Sequence, residues 1–374
     1  MSSTTRLGVD GVLLPEMKPV AAAESNPLSF VLQRGECLAL LVTWPLDASN
    51  LIDVLAGHAM PRAGRILLDG HDITGLPPAQ RRIGVISARD PLFGHLSVHD
   101  NVAFPLAMQR LREPERGHRV HQALALLGLE SQAGRRPGIL APADAIRAAL
   151  ARVLVCDPAV VLLDDPLGRL DPVPRRAMHH LLRRLARARG LTMLLVTRDR
   201  DEALMMGDRI GILDGPLLRQ LGTATELLDR PADESVASGF GEANSLTGRV
   251  DWVEDDVAHV RLSAGPNMDA MAAGDLSPGA LCVVCVRPER IAVAFVTGGD
   301  DALGTDALTG TLLDMVHLGD HLRLRFRLAG GGELVVRRPA SQPTAGLRAN
   351  RPALLAWQAT HAVAFRQDDG VPDG

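Results

Sequence analysis

One stretch of the chain has the layout of a phosphate-binding site, and a second places two acids together. In Cys37–Gly57, a short buried strand, Leu38–Val42, is followed by a loop and then by a helix over Leu51–Ala56. Strand, loop and helix in this order normally place a glycine-rich turn and a helix N-terminus around the phosphates of a nucleotide. The loop here lacks the glycines and the lysine that bind phosphate. The run Val160–Asp165 is apolar, ends in two acids and suits a central parallel strand.

The elements that must position these residues alternate between strands and helices and predict an α/β domain over residues 1–240. Within it, residues 88–157 carry apolar side chains at spacings of three and four, which predicts a helical insertion. A further helix, Arg175–Arg189, ends at Gly190. Its arginines are more typical of a solvated face than of a nucleic-acid site.

The residue pattern changes near Phe240 from alternating strands and helices to short β-like segments. Short β-like segments separated by Gly, Pro and Asp predict an all-β domain of small-barrel character over residues 241–366. Cys282 and Cys285 have CxxC spacing but lie in an apolar run with no second pair nearby, which favours structural strand cysteines over a metal or redox site. The Asp- and Gly-rich residues 367–374 are expected to be disordered.

Length and composition exclude several classes of protein. With 374 residues, 46% of them apolar and 22% charged, the chain suits two globular domains. A net charge of −4 argues against a broad nucleic-acid footprint or a polybasic membrane surface. No run could serve as a signal peptide, and none approaches the ~18 apolar residues that span a bilayer. We therefore expect a cytoplasmic protein whose link to a membrane goes through a partner.

Seven stretches of the chain resemble one family when taken together. They are Gly64–Gly84, Leu92–Leu106, Val160–Asp171, Val196–Leu204, Gly241–Gly248, Val286–Val293 and Val316–Phe326. The first five resemble the ATP-binding subunit of ATP-binding-cassette (ABC) importers, with the greatest similarity to the branch that serves spermidine, putrescine and related solutes, and the last two resemble that branch's C-terminal barrel domain. The resemblance covers nearly the whole chain and implies a P-loop-type ABC ATPase fold, with a mixed sheet and a helical subdomain, followed by an all-β, OB-like (TOBE) domain.

The family's phosphate-binding loop, Gly-Pro-Ser-Gly-x-Gly-Lys-Ser/Thr-Thr, corresponds here to Val42–Asn50. The lysine that would meet the β- and γ-phosphates is Ala48, and Asp47 places an anion beside a polyanion's site. A unit charge pair at 4 Å is worth about 4 kcal/mol at an effective dielectric near 20, whereas micromolar affinity is about 8 kcal/mol in total. ATP and Mg²⁺, the cofactors that the family implies, are therefore expected to bind weakly or not at all. Ser49 keeps the magnesium-coordinating hydroxyl, although a helix-start serine explains it equally well.

The other positions that the resemblance implies are also substituted. The glutamine that links magnesium and the permease is Ala88, and the switch histidine that would contact the γ-phosphate is Arg198. The catalytic glutamate is Asp165, whose shorter side chain is expected to lie too far from the attacking water. The signature motif that clasps the opposite subunit's nucleotide is Leu140–Asp144, which offers neither the serine hydroxyl nor the glycine amides.

Two acidic positions of the family persist. Asp164 is the magnesium-associated acid, and Asp171 lies in the loop that faces the partner subunit. With no phosphates to bridge, a structural role for Asp164, such as capping backbone amides, is favoured over metal binding.

The family's assembly sharpens these expectations. Each nucleotide is held between the loop of one subunit and the signature of the other, and this chain has lost both. A homodimer would therefore contain no complete site, and a heterodimer with an intact ABC ATPase would lose both composite sites. The segment Leu92–Leu96, where the family receives the permease, is retained, although Leu92 and Phe93 could equally be core residues.

Three functions are compatible with the sequence. The leading hypothesis is a catalytically degenerate subunit, a pseudo-ATPase, that acts as a scaffold or regulator on a permease at the inner face of the cell membrane. The alternative is a functional ATPase that energises polyamine-type uptake through Asp164, Asp165 and Ser49.

The third hypothesis is a module that senses a small solute independently of nucleotide. His317, His321 and three alternating arginines could line one strand face of the barrel domain, although an exposed polar strand face is the commoner meaning of such a pattern. The three arginines are Arg323, Arg325 and Arg327.

Overall fold

The computed structural model describes residues 4–15, 27–42, 48–215, 217–263, 265–295, 308–342 and 347–367. The chain divides into two compact units, Met1–Ala224 and Thr225–Gly374. The boundary that we predict at residue 240 between the α/β and all-β domains stays a prediction. In the structure, the segment from Thr225 to Phe240 packs with the second unit. The tail that we expect to be disordered lies, from Asp368 onward, outside the described residues.

Two sheets form the framework of the first unit. One is four-stranded with order β2-β1-β4-β5, and the other is six-stranded with order β10-β9-β3-β8-β7-β6. The strands described in this unit are β1 (Thr5–Leu13), β2 (Leu28–Gln33), β3 (Cys37–Val42), β4 (Ala63–Leu68), β5 (His71–Asp72), β6 (Ile83–Ser87), β7 (Val160–Asp164), β8 (Met193–Thr197), β9 (Arg209–Asp214) and β10 (Leu217–Gly222).

The six-stranded sheet is mixed, as the resemblance implies. Strands β9, β3, β8, β7 and β6 run parallel, and only β10 is antiparallel to its neighbour β9. Every residue of β3 and β8 is buried, because parallel strands in the middle of such a sheet are covered on both faces. Their continuous apolar sequences follow from this position.

Helices pack against strands of the six-stranded sheet and form the helical insertion. The three helices expected between residues 88 and 157 are present, and the first of them, Val98–Met108, is capped by Ser97, whose hydroxyl accepts from the Asp100 amide. Those described through the start of the second unit are α1 (Ala48–Ala56), α2 (Val98–Met108), α3 (Glu115–Leu127), α4 (Pro142–Leu154), α5 (Pro172–Arg189), α6 (Arg200–Met206), α7 (Ala224–Asp229) and α8 (Glu234–Gly239). In the part of the chain that the structure covers, none of the helices is both long and apolar enough to cross a bilayer.

The second unit consists mainly of a closed barrel, with strand order β11-β12-β13-β20-β14, and a five-stranded sheet, with order β15-β19-β16-β17-β18. The fold predicted for both parts of the chain is thereby confirmed. The strands are β11 (Asn244–Glu254), β12 (Val257–Leu262), β13 (Asn267–Ala273), β14 (Leu281–Val286), β15 (Ala292–Phe295), β16 (Leu308–His317), β17 (His321–Leu328), β18 (Glu333–Pro339), β19 (Pro352–Ala356) and β20 (Ala362–Arg366).

The CxxC pair lies on β14, and its two side chains point to opposite faces. Cys282 packs in the main core of the second unit, whereas Cys285 packs with Val283 and Phe365 in a separate apolar cluster. Side chains three residues apart on a strand face opposite sides. The two thiols therefore do not share one site, as expected for structural cysteines.

Candidate functional site

The candidate site lies where the parallel strands of the six-stranded sheet end. The last residues of β3, β8, β7 and β6 meet at one edge, as the carboxyl ends of parallel strands do, and ligands in such folds bind there. A cavity of about 290 Å³ opens at this edge. It brings together the predicted positions Ser49, Ala88, Asp164, Asp165 and Arg198.

Other predicted positions lie elsewhere. Asp47 falls outside the described residues, and Ala48 is the first residue of α1. Asp171 is exposed at the N-terminus of α5, where its side chain makes no capping hydrogen bond.

Asp164 is held by two side chains that the sequence analysis did not single out. The Ser87 hydroxyl donates to Asp164 Oδ2 over 2.8 Å, and Arg89 Nε lies 3.5 Å from the same oxygen. Only 12% of the Asp164 side chain is exposed, so its charge needs such partners. The partners found for Asp164 are therefore side chains and not the backbone amides that we gave as an example, and its structural role stays a prediction.

Arg89 also reaches the helix that follows the phosphate-binding loop. Its two terminal nitrogens lie 3.1 and 3.2 Å from the carboxylate oxygens of Asp53, in the paired geometry that guanidinium and carboxylate groups favour. A magnesium ion requires oxygen ligands in octahedral array. With a guanidinium already beside Asp164, the described residues do not fit a magnesium ion at that carboxylate.

Asp165 occupies a constrained position after β7. Its φ of 41° is left-handed, and its carboxylate fills the space beside Gly168, where a Cβ would lie 2.6 Å from Oδ1. Desolvation by burial raises the pKa of Asp165, and the nearby carboxylates of Glu202 and Asp164 raise it further. Arg198 acts in the opposite direction and lowers the same pKa.

A buried cluster anchors the residue that precedes Arg198. Thr197 donates to Glu202 Oε2 over 2.5 Å, and Glu202 Oε1 lies 3.2 Å from His179 Nε2. All three residues are at most 3% exposed. Arg198 itself is exposed and starts from this fixed strand end, so its guanidinium can bring positive charge to the cavity but not the proton chemistry of a histidine.

The loop after Asp165 is tied to the start of α6. Arg175 lies 3.2 Å from Asp199 and donates to the carbonyl oxygens of Gly168 and Leu170. Asp199 in turn caps α6 by accepting from the amides of Asp201 and Glu202. These contacts fix the loop after Asp165, on one side of the cavity, by residues of the same chain.

The signature segment, Leu140–Asp144, makes hydrogen bonds to its own helix and to neighbouring residues of the same chain. Helix α4 begins at Pro142, which has no amide proton, and the amides of Asp144 and Ala145 both donate to the Ala141 carbonyl. The Asp144 carboxylate accepts from Gln132 over 2.8 Å and lies 3.3 Å from Arg147. An acid in the first turn of a helix occupies the place that a bound phosphate would need.

The segment that we predict to contact the permease, Leu92–Leu96, contributes Phe93 to a partly exposed aromatic cluster with Phe104. Phe93 is 37% exposed and Phe104 is 38% exposed, and their ring centroids lie 4.8 Å apart. The Arg152 guanidinium lies 5.5 Å from the Phe93 ring and donates to two backbone carbonyls of the preceding loop. These rings line a cavity of about 790 Å³, so Phe93 is not a core residue.

The strand face considered for solute sensing is exposed. Arg323, Arg325 and Arg327 alternate on β17 with buried apolar residues. Arg325 lies between two acids, 2.5 Å from Asp314 and 3.5 Å from Glu333. An exposed polar strand face, with the charge of Arg325 balanced by neighbouring acids, accounts for this pattern.

Comparison with known proteins places the chain in a family. The ABC transporter family profile matches residues 25–168, and the TOBE domain profile matches residues 284–365. A spermidine/putrescine import ATP-binding protein PotA from Rubrobacter xylanophilus is 33% identical over 338 residues, which cover 90% of this chain and 88% of the relative. The chain belongs to the family of ABC-transporter ATP-binding subunits.

A second relative and a solved structure support this family assignment. The PotA 1 protein of Pseudomonas aeruginosa, with the same import description, is 35% identical over 330 residues, or 87% of this chain and 86% of that protein. Among solved structures, CbiO1 from Clostridium perfringens, part of the ABC transporter complex CbiONQ, superposes with a TM-score of 0.54 at 25% identity. The superposed part covers 61% of this ABC subunit and 92% of CbiO1.

Sequence reasoning missed Ser87, Arg89 and Asp53, which make the contacts around Asp164 in this ABC subunit. Ser87 and Arg89 flank Ala88 directly, and Asp53 lies on α1. An arginine immediately after a strand end, next to a substituted glutamine position, is a signal that could have pointed to Arg89. Its partners could not be read from the sequence, because they lie 36 and 75 positions away.

Proposed function

We propose that this chain is an ABC subunit of a solute importer of the polyamine type that does not hydrolyse ATP and acts as a scaffold or regulator. The observation that carries the proposal is the loss of both halves of the nucleotide site in one chain. The loop has Asp47 and Ala48 where the family has glycine and lysine, and the signature helix starts with Pro142 and Asp144.

The charge balance supports the absence of turnover. Lysine is missing at the phosphate position, and an aspartate stands in the first turn of the signature helix. A unit charge lost or added near the phosphates changes binding by about 4 kcal/mol at 4 Å and an effective dielectric near 20. The total binding free energy at micromolar affinity is about 8 kcal/mol, so the missing lysine alone removes about half of it, and Asp144, whose charge Arg147 partly offsets, weakens binding further.

The retained surfaces support a scaffold. The aromatic cluster of Phe93 and Phe104 offers apolar area and a cavity to a helix of a permease, and the barrel of the second unit is complete. The subunit would therefore sit at the inner face of the membrane through its permease, as a homodimer or beside another ABC ATPase. The solute class comes from the relatives, whose descriptions name spermidine and putrescine.

A second candidate, an active ATPase that powers polyamine uptake, is favoured by those same descriptions and by the two acids at the end of β7. It requires Asp165 to act as general base in place of glutamate. The left-handed backbone of Asp165 and the closeness of its carboxylate to Gly168 argue against that role, because they hold the shorter side chain beside its own loop at the edge of the cavity.

The first test is permease binding by variants of the aromatic cluster. Phe93→Asp should reduce co-purification with the co-expressed permease subunits about tenfold or more, because it places a charge in an apolar contact. Leu318→Asp is the matched control, since Leu318 is an exposed apolar residue of the second unit. Equal loss in both variants, or in neither, would contradict docking at Phe93.

The second test is turnover in the assembled complex. The permease complex that contains this subunit alone should show no ATP hydrolysis above that of the permease without it. Hydrolysis that Asp165→Asn abolishes would support the active-ATPase candidate and contradict the scaffold.

A further inference from the structure

Arg89 connects three elements around the candidate site. Its guanidinium meets both carboxylate oxygens of Asp53 on α1, at 3.1 and 3.2 Å, and its Nε lies 3.5 Å from Asp164 at the end of β7. Its own amide donates to Ser87 Oγ at the end of β6, and that hydroxyl donates to Asp164. We call Asp53, Arg89 and Asp164 the arginine bridge.

Burial within the bridge is graded. The Asp164 side chain is 12% exposed, Asp53 is 29% exposed and Arg89 is 47% exposed. The least exposed member is the carboxylate for which a cation matters most, because a buried charge without a partner is costly. The guanidinium that lies beside it belongs to the most exposed of the three residues.

The chemistry of the bridge differs from that of a metal site. A divalent ion at Asp164 would stand beside a guanidinium of the same sign, and the repulsion between unit charges at such distances is strong in a partly buried site. A guanidinium is also permanently charged and needs no other ligand from solution. The protein thus carries the cation for Asp164 in its own sequence.

We infer that Arg89 is a resident cation that replaces a divalent metal at Asp164 and excludes it, while joining α1 to the ends of β6 and β7. The site is then assembled without metal or nucleotide. The inference deepens the proposed function and rests on it for its biological meaning. The contacts of the arginine bridge themselves are present in the chain without any ligand.

The test measures Mn²⁺ binding to nucleotide-free full-length protein by the loss of the free-ion EPR signal. The wild type should bind Mn²⁺ no better than Asp164→Asn does. Arg89→Gln, which removes the charge from an exposed position, should bind Mn²⁺ about tenfold more tightly than the wild type, because the repulsion is gone. No gain in Arg89→Gln would overturn the inference.

Three further variants make the result specific. Arg89→Gln combined with Asp164→Asn should lose the gained Mn²⁺ binding, and retention would place the metal elsewhere and overturn the inference. Arg89→Lys should still exclude Mn²⁺, whereas binding as tight as in Arg89→Gln would contradict exclusion by charge. Arg65→Gln, which removes an exposed ion pair with Asp10 in the other sheet, is the control and should leave Mn²⁺ binding unchanged.

The joining role has its own readout in thermal unfolding without metal. Arg89→Gln should lower the Tm, and the effects of Arg89→Gln and Asp53→Asn together should be smaller than their sum, because both remove one contact. Additive effects would contradict the link to α1. ATP binding by the wild type would contradict the proposed function but would not alter either the Mn²⁺ or the Tm result.

Discussion

At the scale of single residues, three buried thiols link the stability of the protein to alkaline pH. Burial raises the pKa of Cys37 and of Cys285 to about 12 and that of Cys282 to about 11, from 9.0. The chain contains no tyrosine, and Lys18 is its only lysine. Few other groups therefore titrate between pH 9 and 11.

We predict that the free energy of unfolding falls as the pH rises from about 9 towards 11. The native thiols keep their protons in this range while those of the unfolded chain lose them, so stability is lost by at most about 1.4 kcal/mol per pH unit for each thiol. Urea unfolding at pH 7.5, 9 and 10.5 measures the slope. Cys282→Ala with Cys285→Ala should flatten the slope for the second unit, and an unchanged slope would contradict the assignment.

The sequence predicts which residues of the site have changed, but not what replaces their interactions. Ala48, Ala88 and Arg198 are identified by short motifs whose spacing along the chain is fixed by strand ends and turns. The arginine bridge depends on side chains from α1, the loop after β6 and the end of β7, which are distant in sequence. Such contacts follow from strand order, which no local pattern encodes.

At the scale of elements, a buried arginine holds the end of α1. Arg81 has no exposed surface, and its guanidinium donates to the carbonyl oxygens of Val54 and Leu55 in the last turn of the helix. It also donates to the carbonyl oxygens of Thr74 and Leu76 in the loop after β5. These carbonyls satisfy the charge without a carboxylate, in the position where a helix favours a cation.

Arg81→Met should destabilise the first unit by about 3 kcal/mol or more, because it leaves several buried carbonyl oxygens without donors. Denaturant unfolding followed by circular dichroism measures the loss. Arg82→Gln, at the exposed neighbouring position, is the control and should change stability by about 0.5 kcal/mol or less. Equal stability of Arg81→Met and the wild type would contradict the capping role.

The elements that could be predicted were those with continuous apolar runs or clear helical spacing. Five short elements, β5, α6, α8, β13 and β20, were missed. β13, with the sequence NMDAMAA, has one fully buried residue, Ala270, and little strand propensity. It is a strand because β12 and β20 pair with it on either side, which is a tertiary effect.

At the scale of the whole molecule, two of the missed strands, β13 and β20, close the barrel of the second unit. β20 lies between β13, to which it is parallel, and β14, to which it is antiparallel. It also contributes Ala362 and Ala364 to the core of this unit. The barrel therefore depends on the last strand that the structure describes.

Truncation after Gln358 should remove the unfolding transition of the second unit and leave that of the first. Loss of β20 opens the barrel and exposes the edges of two strands together with core residues. Differential scanning calorimetry with limited proteolysis measures both units. Truncation after Gln367, which removes no described strand, is the control, and a second unit that still unfolds cooperatively without β20 would contradict the prediction.

The central claim is that this ABC subunit has lost nucleotide binding along with both halves of its site. Isothermal titration calorimetry of the purified full-length protein with ATP and with ADP, in the presence and absence of Mg²⁺, tests it most directly. We predict no saturable heat at nucleotide concentrations up to about 1 mM, since the binding free energy should be smaller than about 4 kcal/mol. Binding of ATP with micromolar affinity that requires Mg²⁺ would contradict the account.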